Sequence, residues 1–266
     1  MAHILVIGDI MLDIAAPVRE NTTYEDAAVS YIGECWRYYP GGAANVAAIV
    51  QRMGHEVTIC GCLGSDWAGY ELSKLLPVSR WISWGATATT IKLRAYSDQG
   101  VAVRLDCEVS EALTCPFPPS SSQFDAVIFS DYYKGVFGPR VDSAKVRSII
   151  DSGVPTIIDP HVRGRNGLWK GATVATPNER EHDSIGPIGT DWTAVTMGAA
   201  GANLFNGTRF HSSITQLNPC ECPQVVGAGD AFTAALAVGL AEGQDIIDAS
   251  ISAVSFAGDY VSHPRI

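Results

Sequence analysis

A chain of 266 residues with 47% hydrophobic and 17% charged residues has the composition of a globular protein with a buried core, which excludes disorder. At roughly 150 residues per domain it accommodates one large domain, or one domain with a small lid. A formal net charge of −10 and a pI near 5.0 exclude a nucleic-acid partner held by phosphate contacts, while leaving room for one basic pocket around a phosphorylated metabolite.

His3 to Gly8 is a short continuous apolar run, the pattern of a strand buried on both faces. A polar, aromatic-rich stretch follows to Pro40, and Gly41-Gly42 opens an Ala/Val/Ile-rich helix that Gly54 closes. Glu56 to Gly61 predicts a strand and Asp66 to Leu76 a helix. Arg80 to Asp106 is β-rich, its Thr, Val and Ile set against Lys92, Arg94 and Arg104. After a Pro/Ser-rich connection at 115–122, strand, helix and strand return at Asp125 to Ser130, Arg140 to Asp151 and Val154 to Asp159. Two short strands, Ala172 to Thr176 and Ala194 to Thr196, precede two Ala-rich helices, Asp230 to Glu242 and Asp245 to Ser262.

Alternation of this kind predicts an α/β fold: a doubly wound, mainly parallel sheet with helices on both faces. Segments at about 14–40 and 85–107 break the rhythm and are expected to pair as a small β lid on a single domain spanning 1–266. Apolar residues around Trp36, Tyr38 and Tyr39 would serve either that lid or a homodimer contact. Seven cysteines, an odd count, do not make a disulfide framework. Cys60/Cys62 and Cys220/Cys222 have the spacing of core or turn residues rather than of a zinc site. The apolar opening is too short for a signal peptide and no run approaches the ~18 residues of a membrane span, so a cytoplasmic protein with no membrane partner is expected.

Three motifs carry chemistry. Gly227-Ala228-Gly229-Asp230 stands at a helix start, where converging backbone N–H groups and the positive end of the helix suit a phosphoryl group in transfer. Asp230 there can accept a hydroxyl proton. Pro40-Gly41-Gly42-Ala43-Ala44-Asn45 opens another helix, with glycines that admit a ligand to the backbone and an Asn45 amide that both donates and accepts. Thr176-Pro177-Asn178-Glu179-Arg180-Glu181 follows a strand, where ligand sites of parallel sheets gather, and Asn178 and Glu181 lie one helical turn apart, able to hold a hydrated Mg²⁺. Each motif alone is equally an ordinary glycine turn or capped helix.

In that order and at those distances the three motifs, with Val195-Thr196-Met197-Gly198 and Gly201, resemble the ribokinase-like (PfkB) family of carbohydrate kinases over nearly the whole chain. The resemblance implies a ribokinase-like αβα sandwich with a β lid, and ATP and Mg²⁺ as cofactors. It implies Asp230 as catalytic base, Gly227, Ala228 and Gly229 as the anion hole, and Gly41, Gly42 and Asn45 as sugar contacts. Asn178, Thr196, Gly198 and Gly201 then belong to the nucleotide, and Glu181 to the metal. Gly8-Asp9-Ile10-Met11-Leu12-Asp13, Thr90-Ile91-Lys92-Leu93-Arg94, Val103-Arg104-Leu105-Asp106 and Ser130-Asp131-Tyr132-Tyr133-Lys134-Gly135 narrow it further. They are similar to the heptose 7-phosphate kinases, which phosphorylate the anomeric position of D-glycero-D-manno-heptose 7-phosphate for lipopolysaccharide precursors. That similarity implies Asp13, Lys92, Arg94, Arg104 and Lys134 on the substrate side, the cations against the existing phosphate; solvated charges on a lid face are the alternative. Some of those enzymes carry a C-terminal nucleotidyltransferase domain; this chain is expected to perform the kinase step alone.

Three departures stand out. Gln224, Val225 and Val226 occupy positions where the family usually has an Asp, often followed by Thr, so a weak response to potassium is expected. His161 replaces a lysine that often follows the Asp-Pro of heptose kinases. The segment from Glu181 to Ala194 is short for the helix and strand usual there, which predicts a reduced nucleotide side.

Overall fold

The structure is a computed structural model that describes residues 1–18, 36–76, 80–86, 88–97, 100–108, 113–118, 120–164, 166–216 and 226–262. In chain order the strands are β1 (His3–Gly8), β2 (Ile10–Pro17), β3 (Arg37–Gly42), β4 (Glu56–Gly64), β5 (Arg80–Ala86), β6 (Thr90–Ser97), β7 (Gly100–Cys107), β8 (Ala126–Ser130), β9 (Thr156–Asp159), β10 (Val174–Ala175), β11 (Trp192–Thr196), β12 (Ala202–Asn206) and β13 (Arg209–Ile214). The helices are α1 (Ala43–Arg52), α2 (Trp67–Leu75), α3 (Ser143–Ile150), α4 (Glu179–Ile185), α5 (Ala228–Ala241) and α6 (Ile246–Ser262).

Nine strands form one sheet in the order β13-β12-β11-β10-β9-β8-β1-β4-β5, parallel from β11 to β5 and antiparallel at β12 and β13. The apolar run of β1 is explained by burial on both faces. Ile4 and Val6 join a core with α1 and α5, while Leu5 and Ile7 join a second core with α3 and Trp169. Cys60 and Cys62 are buried in that second core, as two alternate residues of β4 sharing a face; Cys220 and Cys222 lie outside the described residues. Helix α5 is buried from Asp230 to Gly239, and its alanines allow close packing against α1 and α6. Among the described residues no helix is long and apolar enough to cross a membrane.

The remaining strands make a separate four-stranded sheet, β3-β2-β6-β7. Its pairing puts Tyr39, Asp13, Lys92 and Asp106 in one row across the sheet, and Tyr38, Ile14, Leu93 and Leu105 in the next, on the opposite face. One face is therefore charged and the other apolar. Ile14 is buried against the α1/α5 core and Leu93 packs on it, whereas Leu105 on edge strand β7 is exposed.

Several elements differ from the sequence-based expectation. The lid segment expected from about residue 14 starts earlier, because β2 begins at Ile10 and supplies a central strand of the second sheet; residues 19–35 lie outside the described set. The β-rich interval divides: Arg80–Ala86 extends the main sheet beside β4, so the lid segment expected from about residue 85 begins at Thr90. The β12–β13 hairpin was not anticipated; it turns through Gly207 at a φ of +56°, in the left-handed region that favours glycine. As expected for a short segment, no further strand stands between β10 and β11, but a helix is kept there, the seven-residue α4 that begins at Glu179.

Candidate active site

Strand β1 lies between β4 and β8, so the chain leaves it in opposite directions across the sheet, and a crevice opens at the carboxyl ends of β1 and β8. Asp9 and Asp131 follow those two ends and both are buried. The Asp9 carboxylate accepts the amides of Tyr132 (2.9 Å), Lys134 (2.9 Å) and Val136 (3.0 Å), which folds the segment after β8 over the crevice. Burial pushes the Asp9 pKa up and those three amides oppose the rise. Gly42, at φ +58°, brings α1 to the same place: a Cβ there would meet Met11 Cε at 2.7 Å, and Ala43 N–H donates to the Asp9 carbonyl at 3.0 Å.

Asp230 sits in the first turn of α5, after Gly227 at φ +86°. The amides of the first turn have no carbonyl behind them within the helix and point out of its positive end. The Tyr132 hydroxyl donates to Asp230 Oδ1 at 2.5 Å, and Asn45 Nδ2 donates to Asp230 Oδ2. Burial raises the Asp230 pKa, and these two donors hold the rise back. A carboxylate poised this way has lone pairs left for a substrate hydroxyl. Asn45 Oδ1 is buried and, among the described residues, has no hydrogen-bond partner, so it is an acceptor open to a ligand donor. Gly227 lies against Asn45 Nδ2, where a Cβ would come to 3.0 Å, so side-chain-free backbone is what lets α1 and α5 meet.

Two cavities adjoin this point. The smaller, about 210 Å³, is lined by Asp131, Tyr132, Asp159, His161, Glu181, Gly229 and Asp230 among others. The larger, about 650 Å³, is lined by Gly198, Gly201, Gln216 and the apolar Phe232, Val254, Ala257 and Val261. Asn178, Thr196 and Gly229 line both. The small cavity crowds its carboxylates. Burial and repulsion from Asp230, Glu181 and Asp131 push Asp159 well above the usual range. Burial, then repulsion from Asp9, raises Asp131 to about 7, and burial raises Glu181. Asn178 Oδ1 accepts the Glu181 amide at 3.0 Å and Glu181 Oε2 accepts the Asn178 amide at 2.9 Å, a reciprocal cap on α4. The cap fixes both side chains at the cavity wall.

The charged face of the lid supplies the opposite sign. Lys92 Nζ stands over the Tyr132 ring, 5.0 Å from its centroid, and has no ion pair among the described residues. Burial lowers its pKa; Asp13 opposes this, and the nearby Arg94, Lys134 and Arg104 add to it. Arg94 Nη1 is 3.4 Å from Asp13 Oδ1, and Lys134 Nζ is 2.5 Å from Glu108 Oε1. Arg104, on exposed β7, is engaged by Asp106 at 2.7 Å. Gly41 packs against the Asp13 carboxylate, with 2.9 Å from a notional Cβ to Asp13 Cγ.

Asp230, Gly227, Gly229 and Asn45 therefore meet at one point, with Ala228 in the same helix turn and Gly41, Gly42 and Asp13 next to it. Asn178, Thr196, Gly198, Gly201 and Glu181 line the adjoining cavities. Lys92, Arg94 and Lys134 crowd the lid side, and Arg104 stands outermost. Tyr132, Asp9, Asp131 and Asp159 were not singled out by sequence reasoning for this site, and His161 was noted only as a replacement for the lysine that often follows Asp-Pro. The Ser130-Asp131-Tyr132-Tyr133-Lys134-Gly135 and Ile158-Asp159-Pro160 segments were visible signals, but which side chain turns inward depends on the segment's fold around Asp9.

The profile described as "pfkB family carbohydrate kinase" matches residues 1–78 and 155–264. The Bifunctional protein HldE of Azorhizobium caulinodans is 33% identical over 290 residues, covering 97% of this chain and 60% of that protein. That of Citrifermentans bemidjiense is 29% identical over 290 residues, covering 96% and 58%. The chain thus spans less than two thirds of the length of these curated relatives. Ribokinase of Arabidopsis thaliana, complexed with ribose and ATP, superposes with a TM-score of 0.74 at 18% identity, covering 98% of this chain and 93% of that one. The tetrameric inhibited form of phosphofructokinase-2 from Escherichia coli superposes with a TM-score of 0.74 at 16% identity, covering 98% and 95%. The two superpositions establish the fold, and the profile match establishes the family: the chain belongs to the pfkB family of carbohydrate kinases and is a sugar kinase with a ribokinase-like α/β fold.

Proposed function

We propose that this sugar kinase transfers the γ-phosphate of ATP to the anomeric hydroxyl of a heptose 7-phosphate, in lipopolysaccharide precursor synthesis. The observation that carries the reading is the place of Asp230: held by Tyr132 and Asn45 at the positive end of α5, between an apolar-walled cavity and a cation-bearing lid face. Asp230 would accept the hydroxyl proton, while the amides of Ala228 and Gly229 would stabilise the phosphoryl group in transfer. The base of ATP would lie along Phe232, Val254, Ala257 and Val261, with its phosphates toward Asn178, Thr196 and Gly229. Lys92, Arg94 and Lys134 would take the sugar's own phosphate, and Asn45 Oδ1 a sugar hydroxyl.

Mg²⁺ suits the small cavity, whose hard oxygen donors repel one another without a cation. Among the described residues no three His, Cys, Asp or Glu side chains converge as a metal cage. That accords with an ion held by one or two carboxylates, water and phosphate. Glu181 would hold it, and the bound ion would neutralise charge on the phosphates. The exposed apolar lid face, with Tyr38, Val101, Val103 and Leu105, is proposed as a homodimer contact, and the cytoplasm as the location.

The heptose assignment draws on the motif similarities and on the likeness to HldE. A screen of phosphorylated and free sugars with ATP, read by ADP release, tests it. Preferred turnover of a seven-carbon sugar phosphate is expected; equal or better turnover of free sugars or nucleosides would assign the enzyme elsewhere in the family.

A further inference from the structure

Tyr133 is the only non-glycine residue with positive φ among the described residues, at +57°. Asp131 Oδ1 accepts its amide at 2.8 Å, which fixes the unusual backbone, and its ring is half exposed. That ring stacks on the His161 imidazole, with centroids 5.5 Å apart and planes 11° from parallel. His161 follows Asp159-Pro160 at the end of β9 and lines the small cavity with Asp159, Gly229 and Asp230. Its Nδ1 accepts the Arg163 amide at 3.1 Å. An Nδ1 that accepts carries no proton in the neutral ring, so the proton sits on Nε2. The tight His161 to Gly164 turn, closed by Gly164 N–H donating to the His161 carbonyl at 2.7 Å, keeps Nδ1 committed and leaves Nε2–H as the free donor. Burial, together with the charges of Lys134, Arg163 and Lys92, lowers the pKa and keeps the ring neutral at physiological pH; Glu108 opposes them. A neutral donor suits a cavity already crowded with acids.

Resting on the phosphoryl-transfer reading of the small cavity, we propose that His161 is a further catalytic residue whose Nε2–H donates to an oxygen of the transferring phosphoryl group, and that Tyr133 is the positioning residue that fixes its ring. The stack explains why a bulky residue is kept in a backbone conformation that glycine would adopt at lower cost. Lys134 lies next in the chain, so the same segment places one cation toward the lid and one ring beneath His161.

Gln carries its amide nitrogen near the position of Nε2, and Asn near that of Nδ1, so the two substitutions separate the donor from the bulk. His161→Gln is expected to keep kcat within a few-fold, while His161→Asn and His161→Ala lower it roughly 10- to 100-fold with little change in KM for the sugar, the range for a hydrogen bond to a charged group. Tyr133→Phe should behave as wild type. Tyr133→Gly should lower kcat without lowering Tm, because it relieves the backbone while removing the stack; a merely structural role predicts the two falling together. Equal activity of the Gln and Asn variants would overturn the proposal.

A second readout is independent of turnover. In ¹⁵N-edited spectra of the histidine rings, the resonance lost in His161→Gln should report an Nε2–H tautomer. It should shift when the β,γ-methylene analogue of ATP is added with Mg²⁺, and not when inorganic phosphate or heptose 7-phosphate is added alone. An Nδ1–H tautomer, no shift with the analogue, or a shift with the sugar phosphate alone would overturn it. The spectrum reads the contact even before an acceptor sugar is known. Failure of the kinase reading itself would appear instead as a wild-type protein that transfers phosphate to no sugar.

Discussion

The floor and the lid of the active site handle charge in opposite ways. On the floor, acids outnumber cations: Asp131, Asp159, Glu181 and Asp230 line one small cavity, and burial raises the pKa of each. On the lid, Arg94, Lys134 and Arg104 are paired with Asp13, Glu108 and Asp106, and Lys92 is the cation with no ion pair among the described residues; burial lowers its pKa, Asp13 opposes this, and the other three cations add to it. The floor holds like charges together against their own repulsion and the lid keeps a partly buried lysine without an acid of its own, which a fold tolerates where a ligand of the other sign completes the arrangement. The floor calls for a cation and for protons to accept, and the lid for an anion. In the proposed reaction, a phosphorylated sugar presented to Mg²⁺–ATP would satisfy both.

Breaking the floor gives the largest effect. Asp230→Asn should lower kcat by about 10²–10⁴, the usual range for losing a general base, with ATP binding retained by calorimetry. Next comes the cost of the crowded acids. Asp131 has a folded-state pKa of about 7, above its unfolded value, so its protonation favours the native state. That stability is fully present below about pH 4 and is lost as pH rises through 7. Asp131→Asn, which keeps the acceptor for the Tyr133 amide, should therefore stabilise the ligand-free protein at pH 8 by up to about 4 kcal/mol, since each tenfold change in proton affinity is worth about 1.4 kcal/mol. The gain should shrink toward pH 4 in thermal unfolding. An unchanged Tm at pH 8 would show that the floor is better solvated than its geometry indicates.

On the lid, Lys92→Ala should raise KM for a phosphorylated sugar by roughly 10- to 100-fold, since a hydrogen bond to a charged group is worth about 1.5–3 kcal/mol. KM for the unphosphorylated sugar should stay as it was; an equal rise for both would leave Lys92 a packing residue. Tyr132→Phe tests the junction of the two regions. Loss of one donor to Asp230, worth about 1 kcal/mol, should raise the Asp230 pKa and move the acidic limb of the kcat–pH profile upward by somewhat less than one pH unit. The smallest response is expected from potassium. With Gln224 in place of an acid, rates in sodium-free buffer should stay flat as potassium chloride replaces tetramethylammonium, whereas saturable activation would point to another oxygen donor; Gln224 and Glu221 lie outside the described residues.

The floor was more legible in the sequence than the lid, for physical reasons. Glycine clusters followed by Ala-rich runs mark helix starts, so Gly227 to Asp230 and Gly41 to Asn45 could be placed at the openings of α5 and α1 from residue type alone, although not their chemistry. The apolar runs of β1 and β8 announced strands buried on both sides. Strand β2 was harder, because Asp13 interrupts its apolar run on the face that lines the site, and β12–β13 is a short hairpin at the sheet edge with weak alternation. Residues whose role depends on long-range contacts gave the least local signal. Asp9 is an ordinary acid after a strand until it accepts three amides from a segment more than a hundred residues away. Tyr132, in the same way, becomes a partner of Asp230 only once that segment is folded over.

The opposed charges of floor and lid are tested most directly by following the phosphorus atoms. Wild-type protein, Mg²⁺–ATP and heptose 7-phosphate would be incubated and observed by ³¹P NMR, beside a reaction with the unphosphorylated heptose. The γ-phosphate signal should disappear as a second, anomeric phosphate ester appears on the heptose 7-phosphate, at a rate well above that with the free sugar. Transfer to both sugars at equal rates, or conversion of ATP to inorganic phosphate with no ester formed, would contradict the account.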